Sequence, residues 1–255
     1  MGKVIAITNQ KGGVGKTTTS VNLSACIAST GKKVLLIDMD PQGNATSGFG
    51  IDKDSLEASI YDVLINNMAI SDITTSTAIK KLKVAPAAID LAGAEVELVN
   101  LEKREFILRK ALKEVRKEYD FIFIDCPPSL GLLTLNAMIA ADSVLIPIQS
   151  EFYALEGVSQ LIKTIDLIKG ALNKNLEIEG VLLTMFDGRT NLSIQVADEV
   201  KKYFTTKVYK TMIPRNVRLS EAPSFGEPII IYDPKSKGAD VYMKLAKEVI
   251  KSAAK

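Results

Sequence analysis

The sequence predicts an α/β fold: a single doubly wound, mostly parallel sheet with helices on both faces, with residues 1–255 forming one domain. Three observations carry that expectation. Short β-branched apolar runs alternate along the chain with segments of helical period, the pattern of successive β/α units. Runs such as VLLID (34–38) and FIFID (121–125) are apolar throughout, as strands covered on both faces are. Finally, 255 residues with 47% hydrophobic side chains are enough for one large core, and no repeat or Pro/Gly/Ser-rich linker divides them.

Strands are expected at Val4–Thr8, Val34–Asp38, Leu82–Pro86, Phe121–Asp125, Val144–Ile148, Val181–Phe186 and Val208–Ile213. Helices are expected at Lys16–Ser29, Glu95–Lys117, Gly131–Ala140, Glu156–Gly170, Ile194–Phe204 and Ala239–Ala253, with a short one around Leu56–Asn66. Gly31 reads as the stop of the first helix.

Composition narrows the chemistry. The chain has no histidine, which removes His-based triads, His general bases and His-ligated zinc. Catalysis must run on carboxylates, lysine, arginine, hydroxyls, backbone amides or a bound metal ion. Cys26 and Cys126 form no CxxC motif and read as buried thiols. No signal-peptide pattern and no apolar run near the ~18 residues of a membrane span is present, so a cytoplasmic chain is expected. The formal net charge of +2 gives no global sign of a nucleic-acid binder.

The strongest local signal is NQKGGVGKTT (9–18), set between an apolar strand and a helix. Gly12, Gly13 and Gly15 let the backbone turn so that successive N–H groups, with that of Val14, face phosphate oxygens. Lys16 is placed to reach the β- and γ-phosphates, the Thr17 hydroxyl to bind Mg²⁺, and Thr18 to continue the cradle. One departure stands out. The ordinary phosphate-loop pattern has glycine at position 10; here Gln10 occupies it, and Lys11 follows inside the loop. Lys11 is positioned to neutralise charge on a transferred phosphoryl group, in its own subunit or in a partner's.

Two further strands end in carboxylates. Asp38 and Asp40 stand at the end of the second, where ligands of open α/β sheets bind. Asp38 is assigned to the Mg²⁺ shell, and Asp40 to positioning or activating the attacking water. Asp125 ends an apolar strand as a Walker B aspartate does, near the metal and its waters, and CPPS (126–129) follows as a stiff turn.

KGGVGKTT with its extra lysine, DMDPQGNATSG, DCPPSLG and IPRNVRLSEAPSFG (213–226) together closely resemble the deviant Walker A ATPases of the ParA/Soj group, over essentially the whole chain. The resemblance implies a phosphate-loop ATPase that binds ATP and Mg²⁺ and pairs as a nucleotide-sandwich homodimer. It implies that the dimer binds double-stranded DNA without sequence preference, on the nucleoid, and that a ParB/Spo0J-type partner stimulates slow hydrolysis. By position, Lys11 resembles the lysine that reaches across the dimer, and Asp40 the hydrolysis aspartate. Met185, Pro214 and Asn216 fall where the family packs and hydrogen-bonds adenine. A MinD-like membrane ATPase would need bulky apolar residues free on its C-terminal helix. Here Tyr242, Leu245, Val249 and Ile250 fit a helix packed on its own domain, and no stable membrane association is expected. A nucleotide-switched regulator of replication or transcription factors is the other alternative.

Charge is distributed unevenly. Residues 1–150 carry 16 basic and 17 acidic residues, and residues 151–255 carry 16 and 13. Lys201, Lys202, Lys207, Lys210, Arg215 and Arg218 fall within 201–218 without an acid. Arg189 and Arg218 are the expected main DNA phosphate contacts, helped by Lys201 and Lys202. Two copies in a dimer would double the contacts and steepen the salt dependence.

Overall fold

The computed structural model describes residues 2–151 and 154–253, and the side chains of all of these except 154–157. Its strands are β1 (Lys3–Ile7), β2 (Val34–Asp38), β3 (Thr75–Ser76), β4 (Leu82–Ala85), β5 (Phe121–Asp125), β6 (Ser143–Gln149) and β7 (Glu177–Thr184). They form one sheet in the order β3-β4-β2-β5-β1-β6-β7, and every pairing is parallel except the short edge pair β3–β4. The expected doubly wound, mostly parallel α/β sheet is therefore what the chain forms.

The continuous apolar runs have the predicted consequence. Val4, Leu35, Ile37, Ile122 and Ile124 face one buried layer, with the helices Ile107–Val115, Leu132–Ala140, Ala154–Ala171 and Asn191–Phe204 over it. Their neighbours Ile5, Ile7, Leu36 and Phe123 face the other, covered by Lys16–Ser29 and Lys237–Ala253. Tyr242, Leu245 and Val249 of the last helix are buried in that second layer, and Ile250 packs against it.

Two expected elements differ. Glu95–Lys117 is not one helix but Leu91–Glu97 and Ile107–Val115, separated by short 3₁₀ turns and by Lys103 at φ +53°. The break is fixed from a distance: buried Asn136 accepts from Leu108 N–H (3.1 Å) and donates to Arg104 O (2.9 Å). It supplies the helix-terminal partner that the local sequence lacks. Val208–Ile213 is not an eighth strand; only isolated bridges, Val181 with Val208 and Phe186 with Pro214, join this segment to the sheet side. The helix expected around Leu56–Asn66 is Ile60–Ile65, started by a capping box between Ser59 and Asp62.

At the far end of the IPRNVRLSEAPSFG segment, Gly226 is held at φ +64° with its Cα face on Gly50. A Cβ there would stand 2.6 Å from Gly50 Cα. Gly226→Ala is expected to lower stability by about 1–3 kcal/mol, combining left-handed strain with a backbone clash. Chemical denaturation of the variant checks this.

Candidate active site

The C-terminal ends of β1, β2, β5 and β7 converge on one edge of the sheet, and the loop after β1 runs into the helix Lys16–Ser29 there. Gly13 and Gly15 are left-handed, at φ +74° and +84°. Hydrogen bonds within the loop and to β6 and β7 brace it. Asn9 Nδ2 donates to Pro147 O (2.7 Å), Asn9 Oδ1 accepts from Lys11 N–H (3.0 Å), and Thr184 Oγ1 donates to Val14 O (2.8 Å).

Lys16 is only 6% exposed, and its Nζ donates to Lys11 O at 3.0 Å, folded back over the loop. Burial lowers its pKa from the ordinary lysine value, against the opposing pull of Asp125, the Cys126 thiol and Asp40. Thr17 and Ser20 sit on one helix face, and both hydroxyls donate to Asp125, at 2.8 and 2.7 Å. Thr17 and Asp125, each placed near Mg²⁺ by the sequence, are thus in direct contact. Ser20 was missed, although its spacing from Thr17 is readable in the sequence. Lys11 forms an ion pair with Glu151 of its own chain, and both side chains are partly exposed. No local pattern announces that contact.

Asp38 and Asp125 are register partners on β2 and β5, and both are fully buried. Burial raises both carboxyl pKa values above the ordinary carboxylate range; the charge of Asp40 adds to this at both and that of Asp38 at Asp125, while hydroxyl and amide donors oppose it. Asp38 is turned towards its own loop. It accepts from Asp40 N–H (3.1 Å), Thr46 N–H (2.8 Å) and Thr46 Oγ1 (2.8 Å), and Thr46 Oγ1 in turn accepts from Ala87 N–H (2.9 Å). Asp38 and Thr46 therefore hold the loop that carries Asp40. Asp40 lines the cleft over the phosphate loop with Gly12, Gly13, Lys16 and Thr17, and its Oδ1 accepts from Gln42 N–H (3.0 Å).

A second cleft of about 470 Å³ adjoins the first. Met185, Pro214 and Asn216 all line it, with Gly15, Thr18 and Tyr242. Met185 borders both clefts and takes φ +50°, a strained conformation for a non-glycine residue directly after β7. Asn216 Oδ1 caps the helix Val217–Glu221 by accepting from Arg218 N–H (2.8 Å), and its side-chain amide N–H₂ has no partner among the described residues.

Among the described residues no three His, Cys, Asp or Glu side chains converge to hold a metal by themselves. Mg²⁺ shared with phosphates needs only one or two protein oxygens, and Thr17 beside Asp125 fits that. Both cysteines are buried free thiols.

Three of the expected DNA contacts are spread along one helix. Arg189 follows β7, at the N-terminal side of the helix Asn191–Phe204, and Lys201 and Lys202 lie in that helix's last turn, ~15–20 Å further along. Each has an acid beside it: Arg189 with Asp187 (2.7 Å), Lys201 with Asp198 (3.9 Å), Lys202 with Glu199 (2.6 Å), and Arg218 with Glu221 (3.0 Å) and Asp233 (3.5 Å). No helix among the described residues is long and apolar enough to cross a membrane.

Residues 2–178 match the family model described as an AAA domain. Over 249 residues the chain is 65% identical to the sporulation initiation inhibitor protein Soj of Bacillus subtilis (strain 168), with 98% of each chain covered. It is 59% identical over 251 residues to the chromosome partitioning protein ParA of Myxococcus xanthus (strain DK1622), covering 98% of this chain and 89% of that one. Among solved structures, cobyrinic acid a,c-diamide synthase from Mycobacterium smegmatis with bound ADP and magnesium matches with a TM-score of 0.87 at 38% identity, covering 98% of this chain and 95% of that one.

Proposed function

The chain belongs to the Soj/ParA family of chromosome-partitioning ATPases, and on that premise we propose that it is an ATP-conditional DNA clamp: it binds ATP with Mg²⁺, pairs with a second copy over the nucleotides, binds DNA as that pair, and is released by hydrolysis. The observation that carries the reading is the braced phosphate loop, with Lys16 behind it and the Thr17 hydroxyl on Asp125. The backbone N–H groups of Gly12–Thr18 bind the phosphates, Lys16 exchanges its bond to Lys11 O for a phosphate oxygen, and the second cleft takes adenine between Met185 and Pro214. The unpartnered Asn216 amide is a donor for a ring nitrogen of the base. Thr17 and Asp125 are the residues that would hold Mg²⁺, which would supply charge neutralisation on the phosphates. Asp40 orients the attacking water.

Lys11 makes the nucleotide a condition for pairing. In the single chain it is satisfied by Glu151; in the pair it reaches the partner's phosphates, an interaction that exists only while they are present. A MinD-like membrane ATPase would need a free apolar helix, and the C-terminal helix has buried its apolar face in the domain. Steady-state ATPase rates with and without duplex DNA and a ParB-type protein test the proposal. Stimulation by the two together supports it, and a flat rate under all conditions contradicts it.

The DNA contacts are proposed at Arg189 and Arg218, with Lys201 and Lys202 as helpers. Their ion pairs are exposed, so each is weak and phosphate competes for the same donors. Reversing Arg189 and Arg218 to Glu removes four phosphate contacts per dimer. It is expected to lower ATP-dependent DNA retention by at least ~10²-fold at moderate salt and to flatten its salt slope. Unchanged retention with normal pairing would place the DNA surface elsewhere.

A further inference from the structure

Resting on the nucleotide reading above, we propose that Glu248, on the C-terminal helix and outside both clefts, sets the register of the base-binding segment and is a positioning residue for the adenine. The segment Val208–Ile213 has a strand's composition and begins as one, with Tyr209 N–H donating to Val181 O at 3.0 Å. A continuing parallel ladder advances two residues on both sides, so Thr211 N–H would donate to Leu183 O. Instead it is Ile213 N–H that donates to Leu183 O, at 2.9 Å. The sheet side moves from 181 to 183 while the segment moves from 209 to 213, so two residues are inserted.

The insertion takes the N–H group of Thr211 off the ladder, beside that of Lys210, which strand alternation already turns away from β7. Both donate to the Glu248 carboxylate, at 3.0 and 2.9 Å, and the Thr211 hydroxyl donates to it as well. Three hydrogen bonds to one anion give the bulge a partner that water or a neutral side chain would match poorly. The consequence lies downstream. Phe186 N–H donates to Ile213 O at 3.0 Å, and Pro214 pairs with Phe186. That brings Pro214, Arg215 and Asn216 onto the wall of the base cleft facing Met185. In a regular ladder, these residues would lie two positions further along and miss the cleft. The same helix contributes Tyr242 to the cleft, with its hydroxyl 3.3 Å from Thr19 Oγ1 in the phosphate-loop helix. One rigid helix thus ties the base wall to the phosphate cradle.

The test separates base from phosphate. Wild type and Glu248→Ala are titrated calorimetrically with Mg²⁺-ATP, Mg²⁺-GTP and inorganic tripolyphosphate. ATP affinity is expected to fall about tenfold, the size of a lost charge-assisted hydrogen-bond set, and the ATP-over-GTP preference to narrow. Tripolyphosphate binding is expected to match wild type. Equal ATP affinity in the two proteins, or equal losses for ATP and tripolyphosphate, overturns the proposal. Thr211→Val deletes only the hydroxyl's bond and serves if Glu248→Ala does not fold. It is expected to weaken ATP severalfold and leave tripolyphosphate unchanged, and no ATP-selective loss in it counts against the assignment. Wild-type protein that binds tripolyphosphate but not ATP would instead overturn the adenine reading itself.

Discussion

Lys16→Ala is expected to abolish nucleotide binding and nucleotide-dependent DNA binding together. The Lys16 ammonium is the cation at the centre of a ring of acid: Asp125 and Asp40 both act on it electrostatically, and Asp38 lies beside Asp125 in register. Remove it, and a triphosphate entering the loop meets those carboxylates with nothing fixed to offset them. Loss of one such preorganised charge costs ~10²–10³-fold or more in a phosphate site. The fold, by contrast, loses little. Lys16 makes one internal hydrogen bond, to Lys11 O, and its burial already disfavours the charged form. The variant is therefore expected to melt close to wild type while fluorescent ATP binding disappears. If DNA retention persists in it without nucleotide, the basic residues form an independent module and the clamp reading fails.

How much of this was legible in the sequence depends on distance along the chain. The phosphate loop was legible because strand, glycines, Lys16, Thr17 and helix are contiguous, and the left-handed turns at Gly13 and Gly15 are required by local backbone geometry. The apolar runs of β1, β2 and β5 were legible because burial on both faces leaves a continuous pattern. What escaped was set by partners far away. Val208–Ile213 has strand composition, but Glu248 captures its N–H groups from another element. The predicted helix at Glu95–Lys117 breaks where Asn136 reaches in. Thr46, which holds Asp38, and Glu151, which holds Lys11, carry no local mark. The run 201–218 read as free of acid only because the window began just after Asp198 and Glu199, which lie one helical turn before Lys201 and Lys202 and pair with them. A helical-wheel reading would have found those two pairs, but not Asp233 beside Arg218.

Asp40→Ala is expected to leave ATP bound and unhydrolysed, accumulating paired protein on DNA. The loop geometry makes this a clean substitution. What fixes the loop is Asp38, which receives the backbone N–H of Asp40 and both donors of Thr46; the Asp40 side chain contributes only a bond from Gln42 N–H. Truncating it removes the carboxylate from the phosphate cleft without removing the loop. Lys16, Thr17 and Asp125 keep their places, so ATP affinity should change little. Loss of a positioned base costs ~10²–10⁴-fold in the chemical step. On the proposed reading pairing depends on the intact γ-phosphate, so a slower chemical step is expected to lengthen the life of the pair by the same factor. Asp40→Asn provides the control for geometry: it keeps an acceptor for Gln42 N–H but is a far weaker base. If Asn behaves as Ala, basicity is what matters. If Asn hydrolyses as wild type does, the side chain only orients the loop. Single-turnover hydrolysis measured beside DNA residence time distinguishes these outcomes, and normal hydrolysis in Asp40→Ala would remove Asp40 from the chemistry altogether.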